Sequence, residues 1–179
     1  GVMHTYLAAS LPLCLLGQTP PMSAEQYRFQ CSGVLSSEDL HELDLLIKDP
    51  LPECRTLFGQ TWSALMRQMR FELAALRAKQ WATKPPVPER SFGFSQEVQR
   101  LVQEATSRES PLDMEWTLDQ GRWALLQSLI PPANPLGLER ILAFGVQLTL
   151  MQRWMTIAEN KGQEGLTAVI QSNISKAFT

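Results

Sequence analysis

The sequence predicts an all-α fold: a helical bundle of about five to seven helices, with a buried long helix near 135–160 and an irregular N-terminal arm. Three observations lead there. Residues suited to helix N-caps recur along the chain, at Ser23, Ser36, Ser110 and Asn134. Sustained period-two alternation with turn dipeptides is missing, so β structure has little support. The segment from Pro135 is apolar on nearly every helical side, a pattern that suits a helix buried all round.

Each element has its own local reason. Residues 3–22 read as an extended or irregular arm, broken by Pro12, Pro20 and Pro21. Gly1-Val2, ahead of Met3, reads as an added start and is set aside. Ser23 with Gln26 three residues on matches a capping box and predicts a helix over Ala24–Cys31, stopped by Gly33. Ser36 and Asp39 repeat the signal for a helix over Ser37–Lys48, which Asp49-Pro50-Leu51-Pro52 ends. The next helix runs from about Leu57 to Thr83, because Trp62, Met66, Met69, Leu73 and Leu76 alternate spacings of four and three.

Lys84-Pro85-Pro86-Val87-Pro88 is a stiff connection, and a sub-division of the single domain is expected near 84–91. Ser95 caps a helix to about Ser107. Ser110-Pro111 followed by Asp113 combines a cap, a proline at the first helical position and an acid at the third, and that helix reaches Ile130 before Pro131-Pro132. Asn134-Pro135 opens the last long helix, to about Asn160, with Gly162 as its stop. Its apolar sides are Leu136, Phe144, Met151 and Trp154; Leu138, Ile141 and Leu142; and Val146, Leu150 and Ile157, which makes it the central helix. A final helix covers Leu166 to Ala177.

Composition bounds the function. The chain has 179 residues and a mass of 20.2 kDa, which fits one domain. A chain this long buries about 70% of its unfolded surface and needs no metal or disulfide staple. Net charge is -2 and pI near 5.7, so no global basic field recruits nucleic acid. Charged residues make up 19%, below the usual share of about 25%. A partner, a second copy among the candidates, is therefore expected to cover part of the surface.

Three cysteines, Cys14, Cys31 and Cys54, form no CxxC spacing, which suits a reducing cytoplasm. Tyr6 to Gly17 is apolar enough to suggest a signal peptide, yet no Lys or Arg precedes it and no small-x-small site follows. Leu11-Pro12-Leu13-Cys14 superficially resembles a lipoprotein cysteine, but Leu13 is too large for its position. The longest uncharged apolar run, Ile141 to Gln152, falls short of the roughly 20 residues of a membrane span, so no direct membrane insertion is expected.

The chemistry-bearing motifs are sparse. His41-Glu42 begins like a zincin motif, but position 45 is Leu, so the second ligand is missing. His4 and His41 are the two histidines and lie far apart, which gives a Ser-His-Asp arrangement little to work with. No glycine-rich phosphate loop occurs, nor the two ExxH motifs of a di-iron bundle. No catalytic residue, cofactor or metal is assigned. Asp119 is the one carboxylate on the seam Leu112, Trp116, Asp119, Trp123, Leu126 and Ile130. A buried acid suits catalysis, or an internal ion pair with Arg122, Arg140 or Arg153.

Charge layout carries more. From Ser36 to Cys54 there are six acids and one base, Lys48. From Arg55 to Lys84 there are six bases and one acid, Glu72. On a helical wheel Arg67, Arg70 and Arg77 fall within about 80° of each other. Phe71 and Trp81 lie off the apolar seam. Arginines beside off-seam aromatics suit a partner-binding surface of Arg67, Arg70, Phe71, Arg77 and Trp81. In the other reading the acidic and basic segments pair within the molecule and the following loop covers Trp81.

Tyr6-Leu7-Ala8-Ala9-Ser10-Leu11-Pro12 resembles the opening of a bacterial family of unknown function whose genes sit in V-type ATP synthase operons. The likeness continues through Pro20-Pro21-Met22-Ser23, Leu35-Ser36-Ser37-Glu38-Asp39-Leu40 and Leu43-Asp44-Leu45-Leu46. Near the end, Asn134-Pro135-Leu136, Glu139-Arg140-Ile141-Leu142-Ala143-Phe144 and Gln152-Arg153-Trp154 resemble that family's long helix. The resemblance implies a shortened relative of the all-helical stalk component of the V-type ATPase, the part that couples the rotor axle to the membrane ring. V-type ATPase subunits would then be its partners, and its place cytoplasmic and peripheral to the membrane. The alternative is a cytoplasmic all-helical chaperone that binds a peptide or leader of a redox enzyme.

Overall fold

Seven α-helices occupy the computed structural model, which describes residues 2–86 and 93–161, with the side chains of Val2 and Lys161 excepted. They are α1 (Val2–Ser10), α2 (Ala24–Ser32), α3 (Ser37–Lys48), α4 (Leu57–Gln80), α5 (Gln96–Thr106), α6 (Pro111–Ser128) and α7 (Leu138–Lys161). Among the described residues there is no strand, and the all-α fold class stands.

Local caps set most of the starts. Ser23 accepts from the Gln26 N–H, and the Gln26 side chain accepts from the Ser23 N–H, which completes the capping box. Ser36, Ser95 and Ser110 accept from the N–H groups of Asp39, Val98 and Asp113. Each satisfies a donor that a helix start leaves orphaned.

Three expectations need correction. The first part of the arm is helical: α1 spans Val2–Ser10, because no proline occurs before Pro12 and Ala8 is buried against the core. The irregular stretch covers only 11–23. Asn134 does not cap the last long helix. Its carbonyl accepts from the Gly137 N–H in a turn, and α7 begins at Leu138. Leu136 is consequently 38% exposed and outside the buried helix. The expected final helix over 166–177 lies outside the described residues, as does most of the sub-division near 84–91.

The core gathers around α7, which packs on α1, α2, α3 and α6. Every residue from Ile141 to Leu148 is buried, and Met151 and Trp154 follow. Close approach to α3 is possible because position 145 is Gly: a Cβ there would lie 2.6 Å from the Leu43 side chain. The Tyr27 hydroxyl donates to the Ile141 carbonyl at 2.7 Å, and its ring meets Phe144 edge-on at 4.9 Å. This fixes α2 on α7 and gives the buried phenol a partner.

Glu42 joins α3 to α4. Its buried carboxylate accepts from the Arg55 N–H at 2.9 Å and the Thr56 N–H at 2.6 Å, at the start of α4. Burial pushes its pKa up, but the hydrogen bonds from Thr56 and Arg55 and the Arg55 charge win and hold it below 4.5. One acid of the 36–54 segment thus serves as a helix-start anchor.

Candidate partner-binding surface

The seam of α4 fades as the helix leaves the core. Trp62, Met66 and Met69 are buried, Leu73 is half-buried, and Leu76 is 36% exposed. Over residues 70–80 only Ala78 is buried. The outer turns of a 24-residue helix, about 36 Å long, therefore extend past the main packing.

The end of α4 is set by an unusual residue for its job. Ala82 takes φ 51°, the left-handed conformation that glycine favours. The Thr83 N–H donates to the Ala78 carbonyl at 2.8 Å and the Ala82 N–H to the Lys79 carbonyl at 3.4 Å. That pair of bonds is the Schellman pattern. It stops the helix at Gln80, short of the expected Thr83. It also fixes the backbone directly after Trp81, whose side chain is 73% exposed.

Arg70, Ala74, Arg77 and Trp81 stand at spacings of four, three and four, so they form one row along the helix. Arg67 lies beside this row. Arg70 and Arg77 are exposed and Arg67 is half-buried. None of the three forms an ion pair with a described residue. Phe71 departs from the row: it is half-buried and turned about 100° away. The surface expected from the sequence thus separates into a row of Arg67, Arg70, Arg77 and Trp81, with Phe71 at its flank.

The acidic segment finds partners elsewhere. Asp39 pairs with Arg55 at 2.6 Å, Asp44 takes both Nε and Nη2 of Arg28, and Glu42 anchors α4. Pairing between the acidic and basic segments therefore holds at the start of α4 and does not reach its outer arginines.

Asp119 forms an internal ion pair. It is fully buried and accepts from Arg122 Nη1 at 2.6 Å and from Trp154 Nε1 at 2.7 Å. Arg153 Nε lies 3.7 Å away and also reaches Glu115 through Nη2 at 2.5 Å. The expected pair with Arg122 is present, and of the two alternatives for a second arginine Arg153 is the one that faces Asp119. Arg140 instead stands 5.5 Å over the Phe144 ring and donates to Gln147 and the Pro12 carbonyl. Trp116 meets Trp154 edge-on at 4.8 Å, and the two form a small core of their own.

His41 is exposed. Among the described residues no group of three or more His, Cys, Asp or Glu is placed to hold a metal ion. Burial, reinforced by Glu42, pushes the Cys54 thiol up to about 12. No helix of the described residues is long and apolar enough to cross a membrane.

An all-α chain with an arginine row on α4 belongs to no activity class by geometry alone. Residues 88–175 match the family described as "Protein of unknown function (DUF2764)". That is just under half of the chain, and its described part holds α5, α6 and α7. The arginine row lies ahead of it. Neither a curated protein nor a solved structure matches the chain.

Proposed function

We propose that this chain is a non-catalytic component or assembly factor of a V-type ATPase or ATP synthase. It acts as a stalk or coupling protein through contacts made by the outer turns of α4. The observation that carries the reading is the row of Arg70, Arg77 and Trp81, exposed and, for the arginines, without an ion pair to a described residue. Exposed arginines and a tryptophan contribute little to a free fold, but at a desolvated interface each can be worth about 2 kcal/mol or more. The choice of partner is supported by the resemblance at residues 6–12, 20–23, 35–40, 43–46, 134–136, 139–144 and 152–154. The protein then sits on the cytoplasmic side, peripheral to the membrane through its complex.

The test is affinity purification of the tagged chain from native membranes, with identification of the co-purifying proteins. Recovery of V-type ATPase subunits at near-stoichiometric levels supports the proposal. Recovery of a redox enzyme's precursor in their place would favour the peptide-chaperone reading.

A further inference from the structure

The charge on the α4 row specifies its partner more closely than "protein". Arg67, Arg70 and Arg77 stand on one side of the helix, while the single acid of the outer turns, Glu72, lies on the opposite side. The face therefore carries three positive charges and no negative one from its own helix. Seven residues separate Arg70 from Arg77, about 10.5 Å along the axis. Between them lies Ala74, a small side chain that lets another backbone approach. Beyond them, Trp81 offers a large apolar ring at 73% exposure.

We infer that this row receives an acidic amphipathic helix of a partner protein. Carboxylates seven residues apart on one side of that helix meet Arg70 and Arg77, and an apolar side chain covers Trp81. The inference rests on the reading of α4 as the partner surface and adds the chemistry of what docks there. Arginine favours this occupant because its planar fork bonds carboxylates in two places at once. The periodicity matches because both helices repeat their faces every seven residues.

The test uses the full chain and labelled synthetic probes, with binding read by fluorescence anisotropy. One peptide places Glu and Leu in heptad spacing, and its counterpart carries Lys for every Glu. The expected result is binding of the Glu peptide at least tenfold tighter than the Lys peptide. That preference should shrink severalfold between about 50 and about 300 mM salt, as surface charges are screened. R70E/R77E should abolish or reverse the preference, R70Q/R77Q should weaken it, and both variants should keep the wild-type melting temperature.

Equal binding of the two peptides, or binding of neither, would overturn the inference. So would tighter binding of a single-stranded oligonucleotide, for which Trp81 would act as a stacking platform. Self-association lost in R70E/R77E would assign the row to a second copy and would also overturn it. The two readings fail separately. Glu-peptide binding without capture of V-type ATPase subunits defeats only the ATPase assignment. Capture that depends on Arg70, without any Glu-peptide preference, defeats only the acidic helix.

Discussion

The indole N–H of Trp154 donates to the Asp119 carboxylate at 2.7 Å, and this bond between two buried side chains ties α7 to α6. Arg122 holds the other carboxylate oxygen at 2.6 Å. Both carboxylate oxygens are thus occupied, by groups that would lose their acceptor without it.

Removing that carboxylate should be costly. In Asp119→Ala the Trp154 N–H and the Arg122 guanidinium lose their acceptor, at a cost of about 3 kcal/mol. Asp119→Asn keeps an acceptor and loses the charge, and should cost about half as much. Urea denaturation measures both. Equal, negligible losses would mean that the network contributes nothing and would reopen a chemical role for Asp119.

Glu42 makes acid stability sensitive to one side chain. Its folded pKa lies below the ordinary 4.5, so its ionised form contributes stability that is present above that value. The contribution is lost as pH falls through the folded value. Glu42→Gln should be less stable than wild type near neutral pH by about 1 kcal/mol, and the two should converge as pH falls below the folded value of Glu42. Stability measured across that range checks the sign; parallel curves would contradict it.

Ala82 holds a conformation better suited to glycine. Ala82→Gly should raise stability by about 0.5–1 kcal/mol, since relief of the left-handed strain exceeds the added freedom of the unfolded chain. For a chain of this length that is a rise of about 1–4 °C in melting temperature. A fall would show that the α4 stop does not depend on this cap.

Trp81 reports the field around the arginine row. The other four tryptophans, Trp62, Trp116, Trp123 and Trp154, are at most 7% exposed. Soluble quenchers therefore reach Trp81 almost alone. Iodide should quench it more efficiently than caesium because the nearby arginines attract the anion. The difference should disappear in R70Q/R77Q. Equal quenching of the wild type by the two ions would deny the positive field.

Features written within one or two helical turns were legible in the sequence. The caps at Ser23, Ser36, Ser95 and Ser110 each need only a partner three residues on. The burial of Phe144, Leu148 and Met151 followed from an apolar pattern on all sides of one helix. Contacts that cross the chain were harder to read. Glu42 is one of six acids in its segment, and nothing singles it out until the turn after α3 brings the Arg55 and Thr56 N–H groups to it. Trp154 lies 35 residues from Asp119, and no spacing rule selects it over Arg140's neighbours. The helix α1 was hidden because Pro12, Pro20 and Pro21 dominate the reading of the whole arm. At the α4 surface, the three arginines were evident from the wheel, but the exposure of Trp81 depends on a left-handed alanine that local sequence does not announce.

The role of the α4 row is tested most directly by repeating the membrane capture with Arg70→Ala/Trp81→Ala. Arg70 and Trp81 are exposed, unlike half-buried Phe71, so their truncation should leave the melting temperature within about 2 °C of wild type. Capture of V-type ATPase subunits should fall tenfold or more, which corresponds to about 1.4 kcal/mol per decade. Undiminished capture by a folded double variant would contradict the assignment of this face as the partner surface.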